Sequence, residues 1–397
     1  MSTDKPLVLQ LKRGGEKRLL RGYPWVFSNE LQSLPKTAEP GALAVVTTAK
    51  DRTLGAGFFN PNSLIAFRLL SRTTREFDAS FLRERLEKAL ALRLRHFPGA
   101  RSFRLCHGEP DGLPGLLIDK YEDVLVLQVL AAGMERLLPA IDEALVGLLE
   151  PSAIFLKNDH PLRGLEGLPL EKKALRGDVP EKLRIEEDGL RFMVSPTSGE
   201  GLGTGFDQRG NRAALAPLFQ GRRVLDLCCS AGAFALCAAK HDAVKVLGLD
   251  NSPEAVALAA ESAALNGLAD RCDFDSGDAA EVLDVFAAKK QPFVPDLIIL
   301  NPPNLAPSKK RLSKALRTYD RLNTQALRIL PRGGILATST CSHHLSREAF
   351  VKMLRGAAAK SERGVHLLQL RGQAADHPVL LAMPESEYLH FAVLEVV

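Results

Sequence analysis

From residue 222 onward, short apolar runs alternate with longer stretches of helical spacing. Residues 224–227, 244–249, 272–274, 296–300 and 335–338 are brief aliphatic or β-branched runs and read as buried strands. After the first of them come Ser230, Ala231 and Gly232, and then Phe234, Ala235, Leu236 and Ala239 at helical spacing. Strand, small-residue turn and helix, repeated in that order, make a doubly wound α/β sheet. Ahead of it, residues 6–72 show short alternating runs broken by Gly14-Gly15 and Asn60-Pro61, with strands expected near 7–11, 42–46, 55–59 and 64–70. Residues 77–97 form a charged amphipathic pattern with Asp78 or Ser80 as its cap, and 104–194 mix strands with a helix over 134–149. The pattern therefore predicts a β-rich domain over 1–75, a small α+β domain over 76–195 and the doubly wound domain over 196–397.

Composition narrows the class without naming a function. A chain of 397 residues is too long for one ordinary core, and 46% hydrophobic with 25% charged residues describes a globular protein. A net charge of +5 over this length does not by itself indicate nucleic acid. None of the six cysteines stands in a C-x-x-C spacing, which fits buried thiols in a reducing compartment. The N-terminal residues lack a signal-peptide core and no apolar run reaches about 18 residues, so a cytoplasmic protein without a membrane span is expected.

The chemistry concentrates at the strand ends. The turn after residue 227 carries neither G-x-G-x-x-G nor G-K-[ST], so the dinucleotide and P-loop fingerprints are absent. Asp250 closes the second strand, where a carboxylate can accept both hydroxyls of a ribose; Asp278 follows the third and Asn301 the fourth. The run DLCCSAGAF at 226–234, Asp250, GDA at 277–279 and NPPN at 301–304 together resemble the class I S-adenosylmethionine-dependent methyltransferases. The resemblance implies S-adenosyl-L-methionine as cofactor, held by Asp226, Cys228, Ser230, Gly232, Asp250, Asn251, Asp278, Ala279 and Asn301. It also implies a lid over the cofactor from Phe206, Asp207, Gln208 and Arg209, in which Gly203 stands where the family has a lysine.

Two further regions point toward RNA. GEKRLLRGYPWVF followed by GAGFFNPNSLIAFRLL is similar to the PUA domain, a small RNA-binding barrel, with Lys17, Arg18 and Arg21 as the implied contacts beside Pro24 and Trp25. A solvated face with Trp25 in a small core would give the same pattern. HGEPDGLPGLLIDKY, LEGLPL and LRGDVPE match the same group of bacterial RNA methyltransferases; His107, Glu109 and Asp111 read as a glycine-bounded turn rather than as a metal cluster. Lys309, Lys310, Arg311, Lys314 and Arg317 open the basic helical region 308–330 and are candidates for phosphate contact.

At the end of the fifth strand stands Ser339-Thr340-Cys341-Ser342-His343-His344. A thiol beside a methyl-donor site can attack C6 of a pyrimidine and so activate C5, provided its pKa is lowered. TCSHH resembles the 23S rRNA 5-methylcytosine methyltransferases, which implies Cys341 as nucleophile, 23S rRNA or a large-subunit precursor as partner, and a homodimer. That family has Asp-Pro-Pro where this chain has Asn301-Pro302-Pro303, and Asn cannot act as a base at neutral pH. Methyl transfer to a base nitrogen through Asn-Pro-Pro, or RNA binding without catalysis, therefore stand as alternatives.

Overall fold

A computed structural model of the protein describes residues 6–198, 204–288 and 292–397. Gly203, at the expected lysine position, lies outside the described residues. The chain folds into two compact units, Met1–Pro180 with Asp376–Ser386 and Glu181–Ala375 with Glu387–Val397.

In the first unit the front β-rich segment forms a five-stranded sheet in the order Leu7–Gln10, Ala42–Thr47, Thr53–Phe59, Phe67–Ser71, Trp25–Val26. The last of the expected strands starts later than the sequence pattern suggests. Asn60 Oδ1 accepts the Asn62 N–H at 3.0 Å to make a turn, and Leu64 is left 71% exposed. The following segment forms an antiparallel meander, Phe103–His107, Leu116–Tyr121 and Val124–Val129, extended by Ala153–Asn158 and Glu171–Arg176 and covered by helices Ala79–His96 and Leu138–Leu149. Asp78 caps the first helix through the Phe81 N–H at 2.9 Å.

These two segments merge because they share one core. Val45, Ala56, Phe58 and Leu70 pack in the same buried cluster as Phe103, Ile118 and Leu127. Gly133 is required there, since a Cβ at that position would meet Phe58 Cγ at 1.9 Å. Partly buried polar contacts join the same parts: Trp25 Nε1 donates to Glu109 Oε1 at 2.8 Å, while Arg68 pairs with Glu109 at 3.0 Å and Glu166 at 3.1 Å. The acidic residues of HGEPDG thus have structural partners. Asp111 accepts the His107 N–H at 2.7 Å and pairs with the fully buried Arg93. The returning segment joins this cluster, with Arg93 Nη2 donating to Asp376 O at 2.7 Å.

The second unit opens with a hairpin, Leu183–Glu187 and Leu190–Val194, and then the seven-stranded sheet. Its strands are β1 (Arg223–Leu227), β2 (Lys245–Asp250), β3 (Cys272–Ser276), β4 (Leu297–Leu300), β5 (Ile335–Thr340), β6 (Val365–Arg371) and β7 (His390–Val396). They lie in the order β3-β2-β1-β4-β5-β7-β6, with β7 antiparallel to both of its neighbours. Helices α1 (Ala233–Lys240), α2 (Pro253–Leu265), α3 (Ala279–Ala287), α4 (Leu312–Ile329) and α5 (Arg347–Ser361) make the crossovers. The four residues of β4 are all buried, as a strand covered on both faces must be. Winding reverses between β1 and β4, so the crevice at their carboxyl ends is where this architecture accepts ligands.

Candidate active site

Register levels the polar strand ends against one another. Leu227 pairs with Leu249 on one side and with Leu300 on the other, and Leu300 pairs with Thr338. Cys228, Asp250, Asn301 and Ser339 are therefore the first residues past, or at, one edge of adjacent strands. Cys341 follows two residues beyond Ser339, immediately after β5.

The loop after β1 is folded tightly. Cys228 (φ 61°), Ser230 (φ 49°) and Gly232 (φ 79°) all take the left-handed conformation. A Cβ at Gly232 would lie 2.9 Å from both Ala259 Cβ and Leu236 Cδ1, so only glycine closes this turn onto α1 and α2. Asp226 is fully buried; its Oδ2 accepts the Ala235 N–H at 3.0 Å, which ties the strand to α1. Its Oδ1 has no hydrogen-bond partner among the described residues. Burial is the main reason that its carboxyl is pushed up to about 8, and Asp250 adds to the effect.

That shift has a signed consequence for stability. The unfolded chain loses the Asp226 proton near pH 4 while the folded protein keeps it to about pH 8, so this group costs stability progressively as pH rises through that window. Asp226→Asn is expected to remove this slope and to raise the melting temperature at pH 8 more than at pH 5. Equal shifts at both pH values would show that Asp226 is ionised in the folded state.

Asp250 is partly exposed at the end of β2, with Oδ2 accepting the Ser230 N–H at 2.9 Å and Oδ1 the Ser252 N–H at 3.0 Å. Each oxygen keeps a lone pair, so the carboxylate is fixed in place and still able to receive two vicinal hydroxyls. Asn251 is exposed beside it. Asp278 caps α3 through the Ala280 and Glu281 N–H groups at 2.9 and 3.2 Å, both taken by Oδ1, and Ala279 opens that helix. The glycine-closed turn, the oriented Asp250 and the Asp278–Ala279 corner fit a nucleoside-bearing cofactor.

The segment expected to form a lid is divided in its contacts. Phe206 is buried; Asp207 Oδ2 accepts the Tyr388 hydroxyl at 2.9 Å, and the His343 ring lies 5.0 Å from that of Tyr388. Gln208 and Arg209, the other two residues of the expected lid, both have protein partners. Arg209 is buried and paired with Glu187 at 3.1 Å, and Gln208 spends both ends of its amide on protein partners, Asn301 at 2.8 Å and Asn211 at 2.6 Å. Both side chains are thereby held in place.

The thiols are sorted by burial. Cys228 and Cys341 are partly exposed and the other four cysteines are buried. Burial, reinforced by Asp250, Asp226 and Asp278, pushes Cys228 up to about 12, so it stays a thiol at neutral pH. Cys341 lies on the other side of the winding reversal, past β5, where Thr340 Oγ1 donates to the Tyr319 hydroxyl at 3.0 Å and Ser342 Oγ donates to Ala306 O at 3.2 Å. These bonds brace the TCS segment on both sides of its cysteine.

Lys309, Lys310 and Lys314 are exposed at the start of α4, and Arg311 and Arg317 with them. In the first unit, Lys17, Arg18 and Arg21 are also exposed, but Arg18 pairs with Glu30 at 3.4 Å and lies over the Tyr23 ring at 3.9 Å. Ser339, Asn211, Arg371, Tyr388 and Glu187 were not singled out from the sequence. No local motif marks them, since each reaches the site region through a long-range contact.

Residues 9–72 match a family described as a PUA-like domain, and residues 218–377 one described as a methyltransferase domain. The protein named ribosomal RNA large subunit methyltransferase I from Erwinia tasmaniensis is 36% identical over 96% of this chain and 97% of its own length. The chain belongs to the ribosomal RNA large subunit methyltransferase I family. A second member, from Shewanella denitrificans, is 36% identical over 98% of this chain and 99% of its own length. Among solved structures, a candidate SAM-dependent methyltransferase from Streptococcus mutans superposes with a TM-score of 0.82 over 98% of this chain and all of its own, at 21% identity. A methyltransferase fold complexed with SAH gives a TM-score of 0.85, also at 21% identity and the same coverage. These two structures bear on the fold alone. Among the described residues no helix is long and apolar enough to cross a membrane.

Proposed function

We propose that this protein methylates C5 of a cytosine in 23S rRNA, with S-adenosylmethionine as methyl donor and Cys341 as a transient covalent nucleophile. The observation that carries this reading is the place of Cys341, a partly exposed thiol just past β5 on the same edge of the sheet as Asp250 and Asn301. S-adenosylmethionine supplies an electrophilic methyl group on a sulfonium sulfur. Asp250 would take the ribose hydroxyls, the turn from Cys228 to Gly232 would face the methionine end, and Asp278 with Ala279 would border the adenine.

Addition of the Cys341 sulfur to C6 gives C5 the enamine character that a free cytosine lacks, which is why a thiol is needed for carbon methylation. C5 then takes the methyl group from the sulfonium sulfur, S-adenosylhomocysteine leaves, and loss of the C5 proton to a base with cleavage of the S–C6 bond restores the aromatic ring and the thiolate. The exposed Lys309, Lys310 and Lys314, together with the PUA-like segment, supply positive surface for the RNA backbone.

Transfer to a base nitrogen would ask Asn301 to accept an amine N–H. Its Oδ1 already receives Gln208 Nε2 at 2.8 Å and Ser339 Oγ at 2.5 Å, which supports carbon over nitrogen. Incubation with an unmodified 23S rRNA transcript and labelled S-adenosylmethionine, followed by nucleoside digestion, tests the assignment. Label in 5-methylcytidine is expected; label in an N-methylated nucleoside would refute it.

A further inference from the structure

The side chain of Asn301 sits at the end of a one-way chain of hydrogen bonds. Arg371 Nε donates to Asn211 Oδ1 at 3.1 Å; Asn211 Nδ2 donates to Gln208 Oε1 at 2.6 Å; Gln208 Nε2 donates to Asn301 Oδ1 at 2.8 Å. A guanidinium has no acceptor, so the oxygen of Asn211 must face it. The same orientation is fixed a second time, because Asn211 Nδ2 also donates to the carbonyl of Gly372 at 3.2 Å. With Asn211 set, the amide of Gln208 has only one compatible orientation, and it sends an N–H to Asn301.

Asn301 is thereby polarised. Its Oδ1 receives both Gln208 and the Ser339 hydroxyl, while its Nδ2 has no hydrogen-bond partner among the described residues. Gln208, Asn211 and Ser339 are buried, whereas Asn301 is partly exposed and Arg371 is exposed, so the middle of the relay is shielded between two ends nearer solvent. Reversing any one amide would set two donors or two acceptors face to face inside it.

We infer that Gln208, Asn211 and Arg371 are positioning residues that present the Asn301 amide as a hydrogen-bond donor, and that this donor reads the N3 lone pair of the target cytosine. The inference rests on the proposed cytosine chemistry. Cytosine N3 is an acceptor where uracil N3 carries a proton, so a fixed donor accepts the first and opposes the second. When a nucleophile adds at C6, negative charge develops on the ring around N3, and the donor stabilises it without transferring a proton. Arg371 contributes although it lies on β6, two strands from β5 in the sheet.

The discriminating substitution is Gln208→Glu, which keeps the shape but removes both N–H groups. The carboxylate still accepts from Asn211 and now requires a donor from Asn301, whose amide must turn and offer its oxygen to the base. Two 23S rRNA transcripts that differ only by C→U at the nucleotide the native enzyme methylates would be compared for kcat/KM, with S-adenosylmethionine binding and thermal melting as controls on folding. The expected result is a cytosine-over-uracil ratio at least about tenfold smaller in Gln208→Glu, with cofactor affinity little changed. Gln208→Met, which breaks the relay without inverting it, should fall between the two. A slower enzyme with an unchanged ratio would reduce the relay to scaffolding and overturn the inference alone. Absence of 5-methylcytidine from the native enzyme would overturn the chemistry on which it rests.

Discussion

Replacing Cys341 by alanine is expected to lower methyl transfer to 23S rRNA by about 10⁴-fold, since loss of a nucleophile leaves only binding and orientation to act. The fold should be nearly indifferent. Cys341 is partly exposed and follows β5 rather than belonging to it, and the bonds that brace this segment come from Thr340 and Ser342. The melting temperature should therefore move little, and S-adenosylmethionine should bind with unchanged affinity in titration calorimetry. A Cys341→Ala enzyme that retained a tenth or more of the native rate would exclude covalent catalysis by this residue.

The second large effect concerns stability. Glu187 is buried at the end of the hairpin and receives Arg209 at 3.1 Å, Arg212 through its terminal nitrogen, and Thr204 Oγ1 at 3.1 Å. Removing the carboxylate leaves the buried Arg212 without its counter-charge and Arg209 with the exposed Asp188 at 4.0 Å, a change that costs about 3–5 kcal/mol. In a unit of this size such a loss corresponds to roughly 6–20 °C of melting temperature. Because Arg212 also donates to the carbonyls of Thr204 and Gly205 at 2.8 and 3.0 Å, Glu187→Ala should loosen the segment that carries Phe206 and Asp207. Cofactor binding should weaken in parallel, and Glu187→Gln should recover part of both losses. A melting shift below about 2 °C would mean that water reaches the pair and screens it.

The doubly wound sheet was readable because strands buried on both faces leave aliphatic runs, and because the residues that end them are set in register by the sheet itself. Asp250, Asn301 and Cys341 could be picked out as strand-end positions for that reason. The two-unit arrangement was not readable. Phe58 and Gly133 look like ordinary members of separate segments, and only their contact makes the front sheet and the α+β segment one core. The hydrophobic pattern also cannot show that Asp376–Ser386 returns to the first unit, since that segment is held by Arg93 and Tyr23, hundreds of residues earlier. The partners of Gln208 and Arg209 were hidden for a related reason, since no local motif links them to Asn301 and Glu187. The left-handed conformations of Cys228 and Ser230 left no mark either, because neither residue type signals a positive φ.

The central claim is that a sulfur–C6 bond forms during the reaction, and trapping that bond tests it most directly. A 23S rRNA transcript containing 5-fluorocytosine would be incubated with the enzyme and S-adenosylmethionine and resolved on a denaturing gel. Fluorine at C5 cannot leave as a proton does, so after methyl transfer the adduct has no route to elimination and should persist as a slower band, absent with Cys341→Ala. Methylation of the unmodified transcript with no adduct on the fluorinated one would contradict covalent C5 chemistry.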